Sequence, residues 1–272
     1  MLGANPGARL LAGGTDLLVQ MRAGRKPADL VIDIKNIAEL NELSYDSGVG
    51  LTLGAAVPCY RIYGDAAVCR AYPSLRQVAS LIGGTQIQGR ASIGGNLCNA
   101  APSADSIPLL IALHASCRIA GPQGERVAVV EDFCTAPGQN ILGAGEMLVS
   151  MHVPAPVAGF GASYIRFIPR NEMDIAVAGA GVSVEVENGR FRAARVALAS
   201  VAPTPLFVRD AGEWLEGKLV GSLSIEAAGE IAKVMAKPIT DMRGTADYRR
   251  HLCGVLTRRA LEEAIRRSQG VQ

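Results

Sequence analysis

Residues 91–105 read ASIGGNLCNAAPSAD, which sets two glycines, two asparagines, two serines, a proline and an aspartate between apolar segments. Such a stretch is either an elaborate turn or a cradle for something polar. Asn96, Asn99, Ser103 and Asp105 are more polar side chains than a turn requires, and side chains of these types can bond hydroxyls and phosphate oxygens. The glycine pair recurs in AGGTDL (12–17) and IGGTQI (82–87) at unequal spacings, so it is one local solution reused and not a repeat array. In AGGTDL a short apolar strand runs into the glycines, and Thr15 is expected to N-cap a helix carrying Leu17, Leu18 and Met21 and closed by Gly24. A glycine turn entering a helix offers free backbone N–H groups and the positive end of the helix dipole, both suited to phosphate. The triphosphatase signature Gly-Lys-Ser/Thr is absent. The dinucleotide fingerprint is approached only at Gly179-Ala180-Gly181, where the third glycine is missing and VSVEV continues as strand. Two separate polar glycine loops suit a long ligand with a pyrophosphate in its middle.

Around these loops the chain alternates strand and helix. LVIDI (30–34) reads as a buried strand and residues 44–55 as a hairpin turning on Ser47-Gly48. A helical stretch is expected from Pro58 towards Tyr72, and another from Ser74 with Leu75, Val78, Ala79 and Ile82 at helical spacing before Gly83-Gly84. Asp105 or Ser106 is expected to cap the helix IPLLIALHA, and SCRIAG, RVAVV and EMLVSMHV read as strands. Pro154 to Gly159 reads as a linker. Beyond it come three long β-prone segments, two of them joined at Asn188-Gly189, and then helices near 206–217, 224–235 and 245–268. In the last helix Tyr248, Leu252, Val255 and Leu256 form one stripe. Strands followed by helices predict a small α+β domain, distinct from the mixed region before it.

Composition excludes several classes. At 272 residues, 49% apolar and 19% charged, the chain can bury a sizeable core as one large or two ordinary domains. The net charge of +2 is spread without a long basic run, so nucleic acid is not indicated. The longest apolar stretch, Ile107 to Ala115, is about half of what a bilayer span needs. Nor does MLGANPGARL have the layout of a secretory signal. Six cysteines at 59, 69, 98, 117, 134 and 253 include no Cys-x-x-Cys pair, which argues against zinc or iron–sulfur ligation and for reduced thiols in the cytoplasm. His114 is expected as a packed helix residue, since a metal site needs several converging ligands.

AGGTDLL followed some eighty residues later by SIGGNLCNAAPSADSIPLL resembles the FAD-binding, or medium, subunit of the molybdenum hydroxylases, the family of carbon monoxide and xanthine dehydrogenases and their aromatic-oxidising relatives. GEMLVSMHVP (145–154) and SYIRFIPRNEMDIAVAG (163–179) extend the resemblance over nearly the whole chain. It implies an α+β fold: a two-lobed FAD-binding domain of the PCMH type over residues 1–157, its first lobe shortened, then a small C-terminal domain over 158–272 with a three-stranded sheet and helices. It implies further that Ala12, Gly13, Gly14, Thr15, Asp16 and Leu17 wrap the FAD pyrophosphate. Ser92, Asn96 and Asn99 would bond phosphate and ribityl groups, with Gly94 and Gly95 permitting close backbone approach. Asp105 would bind a sugar or ribityl hydroxyl, while Leu148, Ile82 and Arg166 would lie near the flavin ring. Relatives often have Lys where this chain has Arg166, so the charge is kept and its shape changed.

By the same resemblance the chain is one part of an oxidoreductase. A large partner would hold the molybdenum cofactor and a small partner two [2Fe-2S] clusters, in a dimer of heterotrimers. Electrons would pass through non-covalent FAD to an external acceptor such as NAD+ or a quinone, with no catalytic side chain and no metal on this chain. The alternatives are a stand-alone reductase of the same fold, which would need a proton donor such as Ser163, Glu172 or Asp174, and a flavin-free assembly protein. Cys98 is read as packing.

Overall fold

The computed structural model describes residues 2–171 and 173–270. The first lobe is a parallel βαβ unit, β1 (Ala8–Leu11), α1 (Leu17–Arg22) and β2 (Leu30–Asp33), with Ala8 opposite Leu30 and Leu11 opposite Asp33. Thr15 does not cap α1: Asp16 holds the N-cap position, and its carboxylate pairs with the Gln20 amide instead of the backbone. Gly24, at φ +68°, ends the helix as its position predicts. β2 is not the buried strand expected of LVIDI. Leu30 and Val31 are each 37% exposed, because this sheet has only two strands.

The second lobe is built on a five-stranded antiparallel sheet. Its strands are β3 (Leu43–Asp46), β4 (Gly50–Gly54), β5 (Ser116–Gly121), β6 (Gly124–Val129) and, after the short pair β7 (Cys134–Ala136) and β8 (Gln139–Asn140), β9 (Met147–Pro154). The spatial order is β3-β4-β9-β5-β6. The β3–β4 turn falls where the sequence places it, held by the Asp46 carboxylate accepting from the Gly48 and Val49 N–H groups. Between β4 and β5 run α2 (Cys59–Gly64), α3 (Ala66–Ala71), α4 (Pro73–Ala79), α5 (Thr85–Gln88), α6 (Ile93–Asn99) and α7 (Ser106–Ala112). The stretch expected as one helix from Pro58 is broken at Asp65, whose side chain caps α3 through Ala67 and Val68. Leu75, Val78 and Ala79 of α4 are buried, as their spacing predicts. His114 is a correction: it is exposed, at φ +53°, in the left-handed position that closes α7, with its N–H on the Ile111 carbonyl.

The C-terminal part is an antiparallel meander of β10 (Phe160–Phe167), β11 (Ala178–Glu187), β12 (Arg190–Ala199) and the two-residue β13 (Leu206–Phe207), so the expected three-stranded sheet gains a short fourth strand. Asn188 and Gly189, at φ +51° and +70°, make the predicted hairpin turn. α8 (Arg209–Leu215), α9 (Ser222–Met235) and α10 (Ala246–Ser268) cover it. On α10 the buried stripe runs through Leu252, Leu256, Ala260, Leu261 and Ala264, whereas Tyr248 is 42% exposed and meets Phe167 edge-on.

α7 joins the two halves. The Ser183 hydroxyl donates to the Ala112 carbonyl at 2.6 Å and Arg195 Nε to the Ile111 carbonyl at 2.9 Å. Just beyond, the Glu131 carboxylate receives Arg195 and Arg209, whose guanidinium groups stand 4.2 and 5.0 Å from the centre of the Phe207 ring. The Glu131 side chain is only 16% exposed, so its loss leaves a partly buried Arg195 unpaired. Glu131→Ala is expected to lower stability by about 2 kcal/mol in urea unfolding. Glu125→Ala, in an exposed pair with Arg118, should change it by less than about 0.5 kcal/mol.

Candidate cofactor site

The two glycine loops come together at a cleft of ≈ 300 Å³ between the lobes. Ala12, Gly13, Gly14, Thr15, Asp16 and Leu17 form one wall, and Ser92, Gly95, Asn96 and Asn99 the other, with Ile82 at the side. The loops also hold each other. Arg90 Nε donates to the Gly13 carbonyl at 2.9 Å, and the Gln20 amide to Asn99 Oδ1 at 3.0 Å.

The stretch 91–105 is less of a loop than its composition suggests. Its first half is α6, N-capped by Ser92, whose Oγ accepts from the Gly95 N–H at 3.0 Å. The two glycines therefore have different duties. A Cβ on Gly94 would lie 2.4 Å from the Ala55 carbonyl oxygen, so this glycine lets α6 press against the end of β4, and it is not among the residues of the cleft wall. A Cβ on Gly95 would meet only Ser92 Oγ, at 3.0 Å, and Gly95 lines the cleft.

The cleft is rich in donors. Among the described residues no backbone N–H from Ala12 to Asp16 has an acceptor. Asn96 Oδ1 accepts from the Ser106 hydroxyl at 2.6 Å and Asn99 Oδ1 from Gln20, which leaves both amide NH₂ groups to donate. Lys26 adds an ammonium on the wall with no partner among the described residues. The one acid there, Asp16, is engaged by Gln20. A row of N–H groups without acceptors, of which only that of Gly13 belongs to a buried residue, is open to an acceptor, and a pyrophosphate is an acceptor on every side. The residues fit it.

Sequence reasoning missed Lys26 and Gln20. Lys26 lies beyond the glycine that ends α1, and only the return of the chain into β2 brings it back to the cleft. Cys98 also lines the wall, but burial pushes its thiol up to about 12, so it is a neutral group at physiological pH.

Three expected residues lie elsewhere. Leu148, 3% exposed in β9, is core. Asp105 holds the N-cap position of α7, but its side chain makes no cap bond and is not on the cleft wall: Oδ1 accepts the Tyr164 hydroxyl at 2.7 Å and Oδ2 accepts Arg166 Nη1 at 2.5 Å. Ser106, the alternative cap, is spent on Asn96. Burial pushes the Asp105 carboxyl up from its usual range, against the pull of Arg166 and Tyr164. Arg166 itself lines a second cavity of ≈ 840 Å³ with Leu81, Gly83 and Gly84. Ile82 faces the first cleft while its neighbours face the second, so the turn 81–84 is the partition between them.

A two-lobed, glycine-looped domain with a donor-lined cleft, followed by a sheet-and-helix domain, is the architecture of a flavoprotein subunit. Residues 1–156 match the model of the FAD binding domain in molybdopterin dehydrogenase, and residues 163–264 that of the CO dehydrogenase flavoprotein C-terminal domain. The chain belongs to this family, the FAD-binding subunits of the molybdenum hydroxylases, which are oxidoreductases. It is similar to the xanthine dehydrogenase FAD-binding subunit of Escherichia coli O157:H7, with 32% identity over 99% of this chain and 93% of that protein. It is also 30% identical to the carbon monoxide dehydrogenase medium chain of Afipia carboxidovorans, over 96% of this chain and 90% of that one. Among solved structures, carbon monoxide dehydrogenase from Hydrogenophaga pseudoflava superposes with a TM-score of 0.93 at 32% identity, covering 97% of this chain and 91% of that one. No helix among the described residues is long and apolar enough to cross a membrane.

Of the three proton donors that a stand-alone reductase would draw on, two lie among the described residues. Ser163 is fully buried, Asp174 is paired with Arg170 at 3.6 Å, and Glu172 lies outside the described residues.

Proposed function

We propose that this chain passes electrons from the [2Fe-2S] clusters of a small partner subunit through non-covalent FAD to an external acceptor, NAD+ or a quinone. A large partner carries the molybdenum cofactor, and the whole is a cytoplasmic dimer of heterotrimers. The observation that carries the reading is the run of unpaired N–H groups from Ala12 to Asp16, on a cleft whose walls also carry the Asn96 and Asn99 amides and Lys26. Bound FAD supplies the exchange of electrons singly or in pairs.

The residues of this chain bind, orient and exclude water. Ala12 to Leu17 and Lys26 hold the pyrophosphate, while Ser92, Asn96 and Asn99 hold phosphate and ribityl oxygens. Gly95 leaves room for them. A cleft of ≈ 300 Å³ is at the small end for any ligand site and is too small for a whole dinucleotide. The ring end would extend past Ile82 towards the second cavity, on whose wall Arg166 would lie near it. Asp105 acts there by holding Arg166, not by bonding a sugar.

The test is flavin retention. Purified wild-type chain should keep a yellow absorption spectrum through gel filtration and copurify with molybdenum and iron–sulfur chains. Lys26→Met should weaken FAD binding about tenfold, with a smaller loss on adding salt than wild type shows. A wild-type chain that takes up no FAD would sink the reading.

A further inference from the structure

Arg166 is held in an unusual way. Its side chain is 7% exposed, and a buried guanidinium beside a carboxylate ordinarily pairs through two parallel hydrogen bonds. Here Asp105 gives it Oδ2 alone, while Oδ1 accepts the Tyr164 hydroxyl. The result is a single bond from Nη1. Nε is buried without any partner, and Nη2 has no acceptor among the described residues, although Arg166 forms part of the wall of the second cavity.

The sheet is shaped to keep Tyr164 there. Gly179 pairs with Arg166 across β10 and β11, and a Cβ on it would lie 2.4 Å from the Tyr164 hydroxyl oxygen. This glycine belongs to the Gly-Ala-Gly segment that fails as a dinucleotide fingerprint. Its duty is different: it vacates the space in which Tyr164 reaches Asp105.

Resting on the flavin reading above, we propose that Tyr164, Asp105 and Gly179 are positioning residues. They keep Arg166 end-on to its carboxylate, so that Nη2 remains available to an electron-rich oxygen or nitrogen at the ring end of the flavin. Negative charge added to that ring would be stabilised by a hydrogen bond from the Nη2 edge that Asp105 leaves unbonded. Without the Tyr164 hydroxyl, Asp105 is free to clamp Arg166 through both oxygens, and the positive edge turns away from the cavity.

The experiment is a redox equilibrium of the FAD-loaded full chain, in which electrons from dithionite are shared between the flavin and a reference dye of known potential. Thermal unfolding is followed in parallel. Tyr164→Phe, Gly179→Ala and Arg166→Met should each shift the flavin towards its oxidised form by about tenfold, the scale of one hydrogen bond to a charged group. Arg166→Lys should stay within about threefold of wild type, because the charge is kept. If Tyr164→Phe fails to fold, the contrast between Arg166→Met and Arg166→Lys carries the test. Flavin-loaded variants with the wild-type equilibrium overturn the proposal and leave the triad a merely structural contact. A wild-type chain that binds no FAD overturns the flavin reading, and this inference with it.

Discussion

Gly13→Ala will cost the folded chain about 3 kcal/mol, and the protein will leave gel filtration colourless. The added Cβ would sit 2.0 Å from the carbonyl oxygen of Arg90 and 2.6 Å from its carbon. These are backbone atoms, and no rotamer change relieves them. The first loop must therefore lift from the segment that leads into α6, and the Arg90 Nε bond to the Gly13 carbonyl goes with it. Separation of the loops also moves the N–H groups of Ala12 to Asp16 away from Asn96 and Asn99, so neither loop can hold the same pyrophosphate. Gly24→Ala is the control. Gly24 has φ +68° with nothing within 4 Å of the new methyl, so it should lose about 1 kcal/mol through backbone strain and keep its flavin. Urea unfolding and the ratio of flavin to protein absorbance measure both. Full flavin occupancy in Gly13→Ala would show that the loops need not touch to bind.

The features legible in the sequence were those set by short-range chemistry. The Asp46 turn, the helix end at Gly24 and the turn at Asn188-Gly189 act within a few residues, and their meaning survives without knowledge of the fold. Errors arose where a distant partner decides. Asp105 has the identity and position of a helix cap, but Tyr164 and Arg166, some sixty residues on, take both its oxygens. LVIDI has the texture of a central strand, yet it pairs on one side only, and nothing in five residues reports how many neighbours a strand will have. Composition alone also made a loop of α6. Glycine and asparagine are poor helix formers, and this short helix persists because Ser92 caps it and Gly94 lets it lie against Ala55. Lys26 carries no local mark at all. Only the parallel return of β2 places it on the cleft.

The glycines of α6 permit a test in which stability and cofactor binding move apart. Gly94→Ala forces a methyl to within 2.4 Å of the Ala55 carbonyl oxygen and 2.5 Å of its Cα, so the helix must shift off the end of β4. The expected loss is about 2–3 kcal/mol of stability, the usual scale for overpacking a tight contact. FAD affinity should fall about tenfold only as a secondary effect of the displaced Ser92 and Asn96. Gly95→Ala reverses the balance. Its methyl meets only the Ser92 hydroxyl oxygen, at 3.0 Å, and alanine is the better helix former by up to about 1 kcal/mol, so stability should hold or rise. Yet Gly95 lines the cleft, and in the proposed site the added methyl takes room from the cofactor, so FAD affinity should drop about a hundredfold, as expected when a charged ligand is pushed off its donors. Urea unfolding of the apo chain and fluorescence titration with FAD separate the two quantities. If Gly95→Ala binds FAD as wild type does, the cofactor does not lie against α6, and the second half of the site must be sought elsewhere. If Gly94→Ala is as stable as wild type, α6 can move without cost, and its contact with β4 is not what positions the asparagines.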